Sequence, residues 1–215
     1  TFEKFKSAKP KLGTSMKSVG EAMAIGRNFK ESFQKGLVSL EIGYKGLDAL
    51  SSLSDRELKA KLGQNLPDKL ITVAEAFRRN INIKNIYKIT NIDPWFLEQI
   101  SELVKEEEKL IKYGLPKSFE ELSYIKSIGF SDEKIAELTE NSLKEVVQLR
   151  NQLKVFPVFK KIDTCAAEFK SETPYMYSTY QKSSGELSAC ESNPTNNQKI
   201  IILGGGPNRI GQGIE

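Results

Sequence analysis

The sequence predicts a mainly α-helical chain whose C-terminal end is a fragment of α/β character, and three features carry that prediction. From residue 54 to about residue 155, capping residues and proline starts punctuate apolar residues that recur at helical spacing. Residues 199–215 (KIIILGGGPNRIGQGIE) are an apolar run of strand length, expected to be buried, that empties into a glycine-rich turn. A strand feeding such a turn is how α/β folds bring backbone N–H groups close to a phosphate or another anion. The helix that ought to follow is missing and Thr1 is not an initiator methionine, so the 215 residues are expected to be a piece of a longer protein.

In chain order, the first forty residues read as extended and then helical. Residues 16–25 (MKSVGEAMAI) hold Gly20 and a single acid, Glu21, with Gly26 just beyond. Two glycines around a lone carboxylate suggest backbone bending close to something, although the residues alone favour the plainer reading, a surface Glu in a strand. Asn28 can cap a helix with Glu31 three residues later, and Phe29, Phe33, Leu37 and Leu40 follow at helical spacing.

Pro67 opens a helix whose expected apolar face is Leu70, Val73, Ala74 and Phe77. Asp93-Pro94 is a cap followed by proline at the first helical position. Phe96, Ile100, Leu103, Val104 and Ile111 then mark one face of a longer helix ending at Gly114. Its solvated side is expected to hold Lys105, Glu106, Glu107, Glu108, Lys109 and Lys112, in pairs worth about a few tenths of a kcal/mol each. Three short helices follow, two opened by the capping boxes Ser118/Glu121 and Ser142/Glu145 and the middle one by Ser131 or Asp132. Their core positions are Leu122, Ile125 and Ile128, then Ile135 and Leu138, then Val146, Leu149 and Leu153; helices this short hold only by packing on neighbours. Residues 161–180 (KIDTCAAEFKSETPYMYSTY) break the helical period and read as an extended segment laid across another surface, and residues 181–198 read as a polar linker.

With 39% hydrophobic residues, the chain can bury at least one sizeable core in one or two domains. No run approaches the roughly 20 apolar residues of a membrane span and no charged-then-apolar leader is present, so a cytoplasmic setting without a membrane is the expectation. Lys and Arg number 32 against 28 Asp and Glu, for a net charge of +4, and the signs are interleaved as on solvated helix faces. A nucleic-acid surface would segregate its basic residues onto a stripe, so no nucleic-acid partner is expected. The absence of histidine removes His-based acid/base work, Ser-His or Cys-His nucleophiles and most transition-metal sites. Cys165 and Cys190 match no metal or redox spacing and are expected to be buried small hydrophobes outside any disulfide.

The terminal glycines fit neither standard nucleotide fingerprint. After Gly204 and Gly206 the third glycine of a dinucleotide turn would fall at Arg209, and a P-loop would need Lys and Ser or Thr where Gln212 and Gly213 stand. Residues 127–155 can alternatively be read as a helix-turn-helix, with residues 135–140 as its first helix and residues 143–154 as the reader. That reader offers Lys144, Arg150 and Lys154 beside Glu145, too few cations for strong phosphate binding. Trp95 reads as a core or interface anchor, and Tyr175, Tyr177 and Tyr180 suit packing between domains.

Several stretches taken together resemble the large chain of carbamoyl-phosphate synthase: KLGTSMKSVGEAMAIGR (residues 11–27), TNIDPWFL (90–97), DTCAAEF (163–169), TPYMYSTY (173–180) and GGGPNRIGQGIE (204–215). The likeness runs from end to end and is thinnest over residues 43–66. In that family the large chain pairs two ATP-grasp synthetase units through a helical oligomerisation domain, and a glutaminase small chain supplies ammonia. The first unit makes carboxyphosphate and carbamate from bicarbonate, ammonia and ATP. The second phosphorylates carbamate to carbamoyl phosphate, for arginine and pyrimidine synthesis.

The resemblance implies a helical oligomerisation domain flanked by fragments of two α/β (ATP-grasp type) synthetase units. Residues 1–41 would be the tail of the first unit, 42–191 the oligomerisation domain with its extended linker, and 192–215 the first strand and turn of the second. It implies no cofactor or catalytic residue within this segment, because ATP and Mg or Mn would be held by stretches on either side, and it implies self-association of the large chain. It also implies that Glu21, Gly213 and Glu215 line a carbamate tunnel, with Arg209 as a further lining or gating residue. Glycine leaves bore for a small anion, and charged walls orient or hold it. The alternative is a stand-alone helical interaction module or helix-turn-helix DNA-binding module.

Overall fold

The computed structural model describes residue 2 and residues 4–50, 52–180 and 190–212. A two-residue strand, β1 (Gly20–Glu21), precedes α1 (Phe29–Ser39), which Asn28 caps by accepting from the Glu31 N–H at 2.9 Å. Then come α2 (Asp55–Leu62), α3 (Lys69–Arg78), α4 (Ile83–Thr90) and the 20-residue α5 (Pro94–Tyr113). The short helices α6 (Phe119–Ser127), α7 (Asp132–Leu138) and α8 (Leu143–Gln152) follow, then β2 (Val158–Lys161), β3 (Met176–Thr179) and β4 (Asn208–Arg209). By packing, the chain divides into two units, one of Thr1–Met23, Gly36–Lys109 and Gly206–Glu215, the other of Ala24–Lys35 and Leu110–Gly205.

Apart from α3, whose Asp68 makes no side-chain cap bond, the helices start where side-chain oxygens take up one of their first N–H groups. Ser54 and Glu57 form a full capping box at α2, as do Ser142 and Glu145 at α8, while Asn82 and Ser131 cap α4 and α7. At α6 the box is displaced: Ser118 accepts from the Glu121 N–H at 3.2 Å, but the Glu121 carboxylate turns to the Lys117 N–H at 2.7 Å. Gly114, at φ 77°, ends α5. Within α3 it is Asp68, not Pro67, that stands at the cap.

In the first unit, α2, α3 and α5 bury Leu58, Leu62, Ile71, Val73, Leu97 and Leu103. The faces differ from the sequence expectation by one position in two helices. In α3, Ile71 is buried and Leu70 is outside; in α5, Leu97 is buried while Phe96 and Ile111 face out. The α5 face also takes in Glu107, expected on the solvated side but 2% exposed, because Arg78 meets it with Nε at 3.0 Å and a second nitrogen at 2.5 Å. The same guanidinium donates to the Leu47 carbonyl. Glu75 is buried beside it and accepts from Arg79 at 2.9 Å and from the Leu50 N–H at 3.1 Å. Burial opposes ionisation of Glu75, yet the Leu50 N–H, Arg79 and Arg78 outweigh it and hold the carboxyl below its ordinary range.

In the second unit, α1 presents two polar side chains inward. Gln34 donates to the Ile128 carbonyl at 2.9 Å, and Glu31 accepts from the Arg27 N–H at 2.7 Å and pairs with Lys35 at 2.8 Å. Phe29 and Phe33 stack on each other at 5.4 Å while remaining partly accessible. Helices α7 and α8 pack together, and Asp132 joins Lys126 (2.8 Å) to Arg150 (3.1 Å). Burial lowers the affinity of Lys126 for its proton more than Asp132 restores it. At Asp132 burial works the other way and loses, because two cations face one carboxylate and hold it below the usual range.

Residues 161–180, expected to be extended, supply β3 and the end of an antiparallel pair: Val158 stands opposite Thr179 and Lys161 opposite Met176. The buried strand expected at residues 199–203 is not formed. Ile200, Ile201, Ile202 and Leu203 are 84–90% exposed, since a strand apolar on both faces needs a neighbour on each side and none is supplied among the described residues. The cysteines depart from expectation too: Cys190 is exposed and Cys165 half-buried, both as free thiols. Trp95 is 50% exposed, edge-on to Phe96 at 5.0 Å, and so is not a core anchor.

Candidate functional site

The sequence expectation pointed to Glu21, Arg209, Gly213 and Glu215. Gly213 and Glu215 lie outside the described residues. Glu21 and Arg209 are brought together: β1 and β4 pair antiparallel, with Gly20 opposite Arg209 and Glu21 opposite Asn208. The next N–H along, from Ile210, donates to the Val19 carbonyl at 2.8 Å.

This pairing requires glycine at position 20. A Cβ there would collide with the Asn208 carbonyl and with Cα and Cβ of Arg209, all backbone or rooted next to it. The strand reading of Glu21 and the close-approach reading of Gly20 are thus both realised in one two-residue ladder.

Side chains from two further stretches hold the ladder. Arg209 donates from Nη1 to the Leu40 carbonyl at 3.0 Å and from Nε to the Gln212 amide oxygen at 2.7 Å. The Gln212 amide nitrogen donates to the Glu41 carboxylate at 3.0 Å. Gly206, at φ 88°, lies so near this group that a Cβ would come within 2.7 Å of a Glu41 oxygen and collide with the Gln212 amide.

Two open cavities flank the ladder, each of about 570 Å³. One is walled mainly by apolar side chains such as Leu12, Val19, Leu40 and Ile42, with Lys17, Arg209, Glu21 and the Lys61–Asp68 ion pair (2.5 Å) at its polar points. The other is walled by Glu21, Ala22, Met23, Ser39, Glu41 and residues 206–208. Glu21, an exposed residue, lines both, the first a mainly apolar hollow with charges of both signs and the second one with Glu41 beside it. By the register Glu21 shares its face of the ladder with Asn208, whereas the Arg209 guanidinium is directed to the Leu40 carbonyl and Gln212.

Among the described residues no group of three or more His, Cys, Asp or Glu side chains is placed to hold a metal ion, and no helix is long and apolar enough to cross a membrane. The helix-turn-helix alternative loses its best cation: the Arg150 guanidinium is engaged by Asp132 and the Val155 carbonyl. Tyr180 lies 5.0 Å from the Lys126 ammonium and Tyr177 lies 5.8 Å from that of Lys35, while Tyr175 is exposed. Sequence reasoning gave no role to Glu41, which carries no motif, or to Gln212, which lies within the GGGPNRIGQGIE stretch, because the two meet only through the chain's return to Leu40.

Residues 21–154, well over half of the chain, match the family model described as carbamoyl-phosphate synthetase large chain, oligomerisation domain. The whole chain aligns with proteins named carbamoyl phosphate synthase large chain. Identity is 48% over 220 residues with that of Brucella melitensis, 49% over 219 with that of Pseudomonas aeruginosa, and 48% over 220 with that of Buchnera aphidicola. These alignments take in all of this chain and 19–20% of each relative, so the chain spans about a fifth of the length of the relatives it matches.

Proposed function

The chain belongs to the family of carbamoyl phosphate synthase large chains, and from that premise we propose that it is the bridge between two ATP-grasp synthetase units and part of a carbamate passage. The parent enzyme is an ATP-dependent carbon–nitrogen ligase of the cytoplasm. It makes carbamoyl phosphate from bicarbonate, two ATP and ammonia that a glutaminase small chain releases from glutamine, and serves arginine and pyrimidine synthesis. Residues 1–41 belong to the first unit, 42–191 to the oligomerisation domain and 192–215 to the second unit. The ATP and its Mg or Mn are held by the units on either side, so these 215 residues on their own do not catalyse the reaction. Self-association of the large chain runs through the helices.

The observation that carries this reading is the β1–β4 ladder. It joins the MKSVGE stretch to the PNR stretch, which the family resemblance assigns to different synthetase units, beside a hollow lined by both Glu21 and Arg209. Carbamate is a small anion that water destroys, so a walled route protects it and a fixed guanidinium gives it a resting point.

The test uses the intact large chain with its small chain. Arg209→Met is expected to lower the ratio of carbamoyl phosphate formed to ATP consumed, as carbamate escapes before its phosphorylation. A ratio equal to that of the unsubstituted enzyme overturns the passage reading. For the helices, sedimentation at micromolar concentration is expected to show association of the intact large chain, and a monomer throughout overturns that part.

A further inference from the structure

We propose that Gln212, anchored by Glu41, is a positioning residue that fixes the Arg209 guanidinium on the ladder wall; this rests on the passage reading above. Three observations converge on it. The Gln212 amide bridges two groups, accepting from Arg209 Nε at 2.7 Å with its oxygen and donating to the Glu41 carboxylate at 3.0 Å with its nitrogen. A primary amide suits this task because it carries an acceptor and donors on one rigid plane. The Leu40 carbonyl takes Arg209 Nη1 at 3.0 Å, so two of the guanidinium's edges are tied to residues 40–41 and 212.

The backbone is bent to make the bridge. Glu41 stands at φ 51°, a left-handed conformation uncommon for a residue with a side chain, directly after the Leu40 carbonyl that Arg209 uses. Gly206, also left-handed at φ 88°, leaves the space that the amide–carboxylate pair occupies. Part of the glycine-rich turn thus serves as clearance for a side-chain bridge.

An arginine on a long flexible stem has many rotamers, and a passing anion gains most from one already held in place. The bridge turns Arg209 from a mobile charge into an oriented one. Gln212 touches no carbamate in this scheme and acts only through Arg209.

The experiment again reads carbamoyl phosphate formed per ATP consumed, in the intact large chain with its small chain. Loss of folding lowers both quantities together and leaves their ratio unmoved. In Gln212→Leu the ratio is expected to fall about fivefold, the size of one net hydrogen bond lost from a positioned charge. The paired exchange Gln212→Glu with Glu41→Gln reverses the polarity of the bridge while keeping its charge, and is expected to recover most of the ratio. An unchanged ratio in Gln212→Leu, or an exchange that recovers nothing, overturns the proposal. Arg209→Met separates the two claims. If it lowers the ratio where Gln212→Leu does not, only the positioning assignment fails; if neither lowers it, the passage reading fails as well.

Discussion

The helical stretch from Asp55 to Gln152 and the β1–β4 ladder satisfy their backbones in opposite ways. The short helices close their own hydrogen bonds, and five of them cap their start with the N–H three residues on, through Ser54, Asn82, Ser118, Ser131 and Ser142. Its tertiary hold then comes from buried apolar faces and from charges such as Arg78 with Glu107 and Lys126 with Asp132. The ladder has two residue pairs and owes its existence to chain far away in sequence: Gly20 meets Arg209, and Arg209 is held by Leu40. A ladder of two pairs with few buried apolar contacts sits at the low-stability end of a protein, whatever the sequence distance it spans.

Four substitutions bear on that contrast. The largest effect is expected at Leu103, fully buried in α5: Leu103→Ala costs about 3–5 kcal/mol by the cavity it leaves, read by urea unfolding. Asp132→Asn follows, at about 3 kcal/mol at neutral pH, because Lys126 stays buried without its carboxylate. That difference carries a pH signature. The Asp132 carboxyl has a folded-state value depressed below the ordinary aspartate range, so its contribution is present in full above about pH 4 and is lost as pH falls through the folded value. Acid unfolding of the unsubstituted chain and of Asp132→Asn should therefore converge at low pH, and parallel curves would remove the ion pair from the account.

Gly20→Val is expected to cost about 1–3 kcal/mol by overpacking against the Asn208 carbonyl. Hydrogen exchange should show the Ile210 amide losing protection while amides of α5 keep theirs. Loss of protection in both would break the contrast drawn above. Smallest is Ser142→Ala, about 1 kcal/mol from one lost N-cap, seen as a lower unfolding midpoint with an unchanged denaturant slope.

What the sequence disclosed follows the same division. The α5, α6, α7 and α8 starts were legible because a cap and its helix lie within four residues. Helices α2 and α4 were passed over, although Ser54 with Glu57 is a capping box and Ile83, Ile86 and Ile89 recur along α4, of which only Ile86 is buried. The α5 face slipped by one position because Phe96 and Ile111 are as apolar as Leu97 and Leu110, and hydrophobicity alone does not say which side a neighbour covers. Glu107 was unreadable for a related reason, since its partner Arg78 belongs to another helix. At the site, the glycine and the lone acid of the first stretch were visible, but their meeting with residues 208–209 was not. Pairing of two two-residue strands leaves no alternation for a periodicity to detect.

One consequence concerns handling. Ile200 to Leu203 form four successive β-branched or aliphatic side chains at 84–90% exposure, with Lys199 as the single charged gatekeeper and Gly204 on the other side. Such a run is the seed of an edge-to-edge stack between molecules. Any preparation that leaves it uncovered is expected to clump in a concentration-dependent way that imitates specific self-association. An Ile201→Lys variant, which charges the run without touching a helix, tells the colloidal event from the biological one.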